Sequence, residues 1–180
     1  MDWPSVDELN SIDMSSILSR VPDSDNFKIY VDKTAGMEHY RLLVWLSKQF
    51  NNTSLVEVGI YKGFSGCSLA FNESNTVFGF ELSDNISSLL PKNYFPIFGN
   101  VLQNERIVKQ SPLIMYDTDH NGALEREFMC WLEKIDYKGI VLFDDIYLNN
   151  EMRSFWEDVK YKKEDISNIG HVTGTGAVWM

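Results

Sequence analysis

The sequence predicts an α/β protein: a mostly parallel sheet with an antiparallel C-terminal strand and helices on both faces. Three observations lead there. Short apolar runs alternate with segments of helical periodicity, as strands do when helices carry the chain back across a parallel sheet. Leu55 to Gly66 reads L-V-E-V-G-I-Y-K-G-F-S-G, a buried strand entering a glycine-punctuated turn and a helix start. The last stretch, from Glu164 to Met180, holds two short β-like runs around a glycine-rich turn, the pattern of a terminal hairpin at the sheet edge.

Each element follows in order. Val6 to Leu18 reads as a short helix, with Pro22 to Asp25 as a turn. Thr34 can cap a helix running to about Phe50, with Tyr40, Leu43, Val44 and Leu46 as its apolar face. His39 and Arg41 fall near its beginning, where exposure to solvent is the expectation and a pocket-facing position the alternative. After the first strand, Ser65 to Asn72 is the next helix and Thr76 to Glu81 the second strand. Asp84 to Leu90 reads as a short helix stopped by Pro91, and Tyr94 to Gly99 as a third strand followed by Asn100. A helix over Asn104 to Gln110 leads to a buried strand, Pro112 to Tyr116. Asn121 can cap a helix to about Ile135, with Leu124, Phe128, Trp131 and Leu132 on one face. Gly139 to Phe143 is the fifth strand, and Asn149 or Asn150 opens a helix whose Met152, Phe155, Trp156 and Val159 face inward. Its basic tail, Lys160 to Lys163, suits a helix C-terminus.

The 180 residues suit one domain, read as an N-terminal extension over 1–32 and a core over 33–180. A net charge of −10 argues against a nucleic-acid partner, because phosphate binding needs a basic surface. No apolar run is long enough to span a membrane, and Met1-Asp2-Trp3 does not resemble a signal peptide. Cys67 and Cys130 both fall on predicted helices and read as reduced, packed thiols of a cytoplasmic protein.

The glycine turn indicates a ligand. Backbone N–H groups of a strand–turn–helix unit can approach it closely beneath the positive end of the helix. A dinucleotide fingerprint is G-x-G-x-x-G, whereas Gly59, Gly63 and Gly66 are spaced G-x-x-x-G-x-x-G. Tyr61 also fills the position that a pyrophosphate needs open, which argues for a ligand without one.

The run E57-V-G59-I-Y-K-G63 resembles the E/D-x-G-x-x-x-G motif of class I S-adenosylmethionine-dependent methyltransferases. The second strand, T-V-F-G-F-E, ends in Glu81, where that family carries an acid that accepts hydrogen bonds from both ribose hydroxyls. The resemblance covers about residues 33–180 and implies a Rossmann-like methyltransferase fold. It implies S-adenosylmethionine over Gly59, Tyr61, Gly63 and Ser65, with Glu81 on the ribose and Glu57 near the methionine amino group. Asn100 stands after strand three, where many members carry an acid, and is counted with the cofactor contacts.

Acids also end two further strands. Asp117 and Asp119 follow L-I-M-Y, and Asp144-Asp145 follow V-L-F. Ligands of open α/β sheets bind outside the carboxyl ends of the strands, and neighbouring strands lie about 4.8 Å apart, so these acids can converge on one ion. Hard oxygen ligands suit Mg²⁺. M-Y-D117-T-D-H120-N-G with L-F-D144-D145-I resembles the metal motifs of divalent-cation-dependent O-methyltransferases of the catechol and macrolide-sugar types. That resemblance implies Mg²⁺ or Mn²⁺ on Asp117, Asp144 and Asp145, with His120 as the base three residues after the first acid. A small hydroxylated acceptor is implied, with Tyr61, Tyr147 and Trp156 able to wall its pocket and His171 close by on the final turn. The chain lacks the covering insertions of larger relatives, so a homodimer that completes the acceptor site is expected. Metal-independent methyl transfer, and a non-catalytic cofactor-binding or partner-binding subunit, stay open as alternatives.

Overall fold

The computed structural model describes residues 1–180. Seven strands are formed: β1 (Ser54–Val58), β2 (Thr76–Glu81), β3 (Tyr94–Phe98), β4 (Leu113–Tyr116), β5 (Ile140–Asp144), β6 (Lys162–Asp165) and β7 (Thr175–Trp179). Eight α-helices accompany them: α1 (Val6–Asn10), α2 (Ser15–Leu18), α3 (Lys28–Val31), α4 (Tyr40–Gln49), α5 (Phe64–Leu69), α6 (Glu105–Gln110), α7 (Ala123–Lys134) and α8 (Asn150–Asp158). The sheet order is β3-β2-β1-β4-β5-β7-β6. Strands β1 to β5 pair in parallel, and β7 runs antiparallel to both β5 and β6. The connection reverses direction between β1 and β4, which opens a crevice at their carboxyl ends.

Period-two alternation divides the core. Val56, Ile114, Val141 and Val178 face α7 and α8, while Leu55, Leu113, Leu142 and Ala177 face α4 and α5. Each fully buried side chain of this size contributes about 1.5–3 kcal/mol, so the two apolar layers fix the strand register. Residues of the first thirty also join the second face: Leu9 meets α4, and Met14, Ile17 and Val31 pack with Val44, Phe64 and Cys67.

Several sequence expectations are corrected. The terminal hairpin lies at the sheet edge as expected, with its first strand outermost. The largely buried β7 inserts between β5 and β6, and the charged run K-K-E-D forms the edge strand β6. Charged residues tolerate an edge and would be costly inside. Lys162 and Lys163 are therefore strand residues rather than a helix tail. The single helix expected over Val6 to Leu18 is two, broken at Ser11 to Asp13. No helix forms over Asp84 to Leu90. There Asp84 accepts from the Ile86 N–H, Ser87 and Ser88 donate their N–H groups to the Lys62 carbonyl, and Leu89 donates to Arg20. Side-chain and long-range partners have replaced the helical ladder. Cys130 is exposed rather than packed, and both cysteines are free thiols.

Helix α4 starts at Tyr40, not after Thr34. Gly36 has φ +80° and approaches the Asn168 carbonyl so closely that a Cβ there would lie 2.8 Å from its oxygen. The chain must turn at Gly36 before the helix can begin, which leaves Glu38 and His39 on a buried connection. The expectation that His39 and Arg41 are exposed fails for both. Arg41 is held by Asp32 and by the carbonyls of Lys33 and Ile12.

Candidate functional site

The glycine turn forms the floor of the crevice. Gly59 has φ +90°, and a Cβ on it would overlap the Asp117 carbonyl oxygen and lie 2.7 Å from the carbonyl carbon. Only glycine lets the ends of β1 and β4 come this close. Tyr61, His120 and Asp145 also have positive φ although none is glycine. Such conformations cost energy and persist where the surroundings impose them, and these three lie at the carboxyl ends of the strands.

A cavity of about 510 Å³ opens beside this turn, within the size range of small-molecule sites. Gly59, Tyr61, Glu81, Asn100 and Asp117 line it, with Phe80, Val101 and Phe128 as apolar walls. The Glu81 carboxylate accepts from the Ile60 and Tyr61 N–H groups at 3.1 Å each and from the Leu82 N–H at 2.7 Å. The Asn100 side chain accepts from the Leu102 N–H at 2.9 Å. Glu57 and Ser65 lie beneath the turn, buried, and Gly63 caps α5. Burial pushes the Glu57 carboxyl up to about 7, opposed by the Ser65 and Tyr94 hydroxyls beside it. Tyr94 donates to one Glu57 oxygen; the other, Oε1, is buried with no partner. A cofactor ammonium would supply one. The cradle, the cavity and this orphaned oxygen fit S-adenosylmethionine, whose ammonium, ribose and adenine need an acid, a diol acceptor and an apolar slot.

Beyond the turn the acids converge with all three histidines of the chain. His120 Nε2 lies 3.1 Å from Asp117 Oδ1 and 3.3 Å from Asp145 Oδ2. His171, on the loop before β7, places Nδ1 at 3.0 Å from Asp145 Oδ1 and 3.3 Å from Asp144 Oδ2. His39 Nδ1 is 3.4 Å from Asp144 Oδ2 and 3.5 Å from Glu38 Oε1. Burial disfavours a charged imidazole at His39, yet Asp144 outweighs it and raises the ring to about 9. At His171 burial is again overcome, by Asp144 and Asp145, and the ring is raised to about 11. Asp144 itself is held well below the usual carboxylate range, because those imidazolium partners outweigh its burial. Desolvation raises Asp117, and its contact with His120 opposes the rise.

The arrangement gathers most of the residues named from the sequence, with additions and two losses, and Asp117 and Asp145 each join Asp144 in a separate set of close ligand atoms rather than forming one triad. Asp144 and Asp145 end β5 beside Asp117, and His171 lies next to them. Glu38 and His39 belong to the cluster although the sequence offered no periodicity or spacing to find them; only the adjacent acid–imidazole pair was a hint. Trp156 does not wall an acceptor pocket. Its ring packs in the core against Gly176. Tyr147 donates to Asp165 at 2.8 Å, away from the cavity lining.

The donor set fits a divalent cation. His39, Asp117 and Asp144 offer ligand atoms within 4.8 Å of one another, as do Asp144, Asp145 and His171. Asp144 Oδ1 and both ring nitrogens of His39 are buried without a hydrogen-bond partner. A site of this composition can hold an ion, position an oxygen and accept a proton.

No family model matches the chain, and no curated protein does. Solved structures do. The chain resembles an SAH-bound methyltransferase of Podospora anserina at 15% identity, over 91% of this chain and 84% of that one, with a TM-score of 0.62. A caffeoyl-CoA O-methyltransferase of Staphylococcus aureus, so described, is 15% identical over 98% and 93%, with a TM-score of 0.60. An SAH-bound O-methyltransferase of Bacillus cereus is 15% identical over 98% and 92%, with a TM-score of 0.54. At such identity the likeness establishes the fold, which is the Rossmann-like fold of class I methyltransferases.

Proposed function

We propose that the chain transfers the methyl group of S-adenosylmethionine to a hydroxyl of a small molecule, assisted by a divalent cation. The observation that carries this reading is the double membership of Asp117. It lines the cavity beside Gly59 and also faces His120 in the carboxylate–imidazole cluster, so cofactor and acceptor would meet at one residue.

S-adenosylmethionine supplies an activated methyl on a sulfonium, which leaves the protein mainly to align the partners. Gly59 lets the ligand lie against backbone, Glu81 offers its carboxylate to the ribose, and Glu57 offers Oε1 to the ammonium. Asp144 with Asp117 or with Asp145 would hold the cation, whose chemistry is to lower the acceptor hydroxyl's pKa and fix its oxygen. His120 takes the hydroxyl proton as the oxygen forms its bond to the methyl carbon and the carbon–sulfur bond breaks. Asn149 steadies the His120 loop by donating to the His120 carbonyl at 2.8 Å.

One observation favours a second reading, transfer without a metal. The raised His39 and His171 rings already neutralise part of the acid cluster by themselves. A methylation screen over catechols, sugars and small hydroxy compounds, run with EDTA and with Mg²⁺ or Mn²⁺ restored, separates the two. Activity lost in EDTA and regained with metal supports the first; full activity in EDTA supports the second. Calorimetry that detects no S-adenosylmethionine binding would remove both. A second copy of the chain is part of the proposal: Phe27, Tyr30 and Tyr61 are exposed aromatics, and the Phe27 and Tyr61 rings meet edge-on 6.3 Å apart beside the cavity. Light scattering that shows only monomer in an active preparation would exclude the homodimer.

A further inference from the structure

We propose that Thr173 is a positioning residue for His120, acting through the Asp145 carboxylate. This deepens the reading of His120 as the general base, on which it rests. The contacts that carry it are separate, because Thr173 belongs to neither the glycine turn nor the acid motifs.

Asp145 joins two sides of the site. Its Oδ1 accepts from the Thr173 hydroxyl, and its Oδ2 lies 3.3 Å from His120 Nε2. A carboxylate turns easily about its last torsion, so partners on one oxygen decide where the other points. Thr173 suits this task because a hydroxyl has one proton to give and lone pairs to spare. It gives the proton to Asp145 and accepts from His171 Nδ1, 3.0 Å away, which itself lies 3.0 Å from Asp145 Oδ1. Asp145, Thr173 and His171 thus close a triangle at Oδ1 and leave Oδ2 to His120.

The backbone holds both ends of this link. The Tyr147 N–H donates to the Thr173 carbonyl at 2.8 Å and the Ile146 N–H to the Gly174 carbonyl at 3.2 Å, which docks the loop before β7 against the end of β5. Asp145 and His120 both sit in the left-handed region, at φ +58° and +50°, conformations that persist where the surroundings impose them. On the far side, Asn149 donates to the His120 carbonyl at 2.8 Å. His120 Nε2 lies between Asp145 Oδ2 and Asp117 Oδ1, the latter at 3.1 Å. That nitrogen carries a proton, since a lone pair there would face two carboxylate oxygens. The resulting tautomer leaves Nδ1 to take the proton of the acceptor hydroxyl. Thr173 is uncharged, so its contribution is one of direction and not of charge.

The test compares two variants of the full chain: Thr173→Val, which removes the hydroxyl at nearly constant volume, and Thr173→Ser, which keeps it. In protein labelled with ¹⁵N-histidine, the His120 Nε2–H signal is assigned by its loss in His120→Gln. It should be sharp and protected from exchange in wild type, broadened or lost in Thr173→Val, and restored in Thr173→Ser. On an acceptor from the screen above, Thr173→Val should lower kcat about 10–100-fold, the range for hydrogen-bonded supports of metal-site residues, with the KM for S-adenosylmethionine unchanged. Thr173→Ser should recover the rate. If Thr173→Val fails to fold, Asp145→Asn keeps the shape, weakens both hydrogen bonds and gives the same N–H readout. An unprotected His120 N–H in wild type, or a signal unchanged in Thr173→Val, would overturn the proposal. Lower Mn²⁺ affinity in Thr173→Val with that signal unchanged would place the effect on the cation instead. Calorimetry with S-adenosylhomocysteine on the same samples keeps the questions apart. N–H results as expected with no such binding would refute methyl transfer and leave the link from Thr173 to His120 standing.

Discussion

Gly59 and Asp117 lie back to back at the switch point of the sheet, close enough that any side chain on the first would collide with the backbone of the second. The Asp117 N–H donates to the Val58 carbonyl at 2.8 Å, and the Gly59 N–H to Phe80 at 2.9 Å, so neither strand end can move aside. Cofactor turn and acid cluster are thus joined through backbone. Gly59→Ala should destabilise the fold by at least about 3 kcal/mol, since overpacking and positive-φ strain add. Urea denaturation measures this; a variant with wild-type stability would show that the two strand ends can separate.

Glu81→Ala should weaken binding of S-adenosylhomocysteine by about 1.5–3 kcal/mol, the range for hydrogen bonds to a charged group. Calorimetry on the variant is the check. Unchanged affinity would leave Glu81 as a support of the glycine turn through the Ile60 and Tyr61 N–H groups and nothing more.

Replacing His120 by alanine should lower turnover about 10²–10⁴-fold, the contribution of a positioned general base. The deficit should narrow as pH rises, because hydroxide then replaces the lost base. Against its burial, Asp117 and Asp145 raise the His120 ring above its usual range, so the comparison is made at a pH where the wild-type rate has levelled off; a deficit that stays constant there would exclude proton transfer by this ring.

Glu57 gives a pH signature in stability. Its folded-state pKa of about 7 lies above the usual 4.5, because burial favours the neutral carboxyl. The neutral group therefore contributes fully below pH 4.5, and its contribution is lost as pH climbs through about 7. Relative to Glu57→Gln, which does not titrate, wild type should lose up to about 3 kcal/mol between those limits. Unfolding curves of both proteins at pH 5 and pH 8 decide it; a constant difference would mean that Glu57 stays charged throughout.

Local sequence alone determined the strand–helix alternation, the glycine turn and the acids at the ends of β1, β2, β4 and β5. Each of these is written within a dozen neighbouring residues: a period-two or period-3.6 pattern, a glycine where φ must be positive, an acid where a buried strand stops. The tertiary structure decided the rest. His39 is buried because Gly36 packs against Asn168, and that contact delays the start of α4. His171 reaches Asp145 because β7 inserts between β5 and β6, which carries the preceding loop to the carboxyl end of β5. Asp84 to Leu90 stays non-helical because Arg20 and Lys62 take its backbone hydrogen bonds. These contacts join residues far apart in the chain, and no local periodicity encodes which distant surface a turn will meet. The strand-end acids, His120 and the place of His171 on the final turn could thus be read from the sequence, whereas Glu38 and His39 were brought to them by packing.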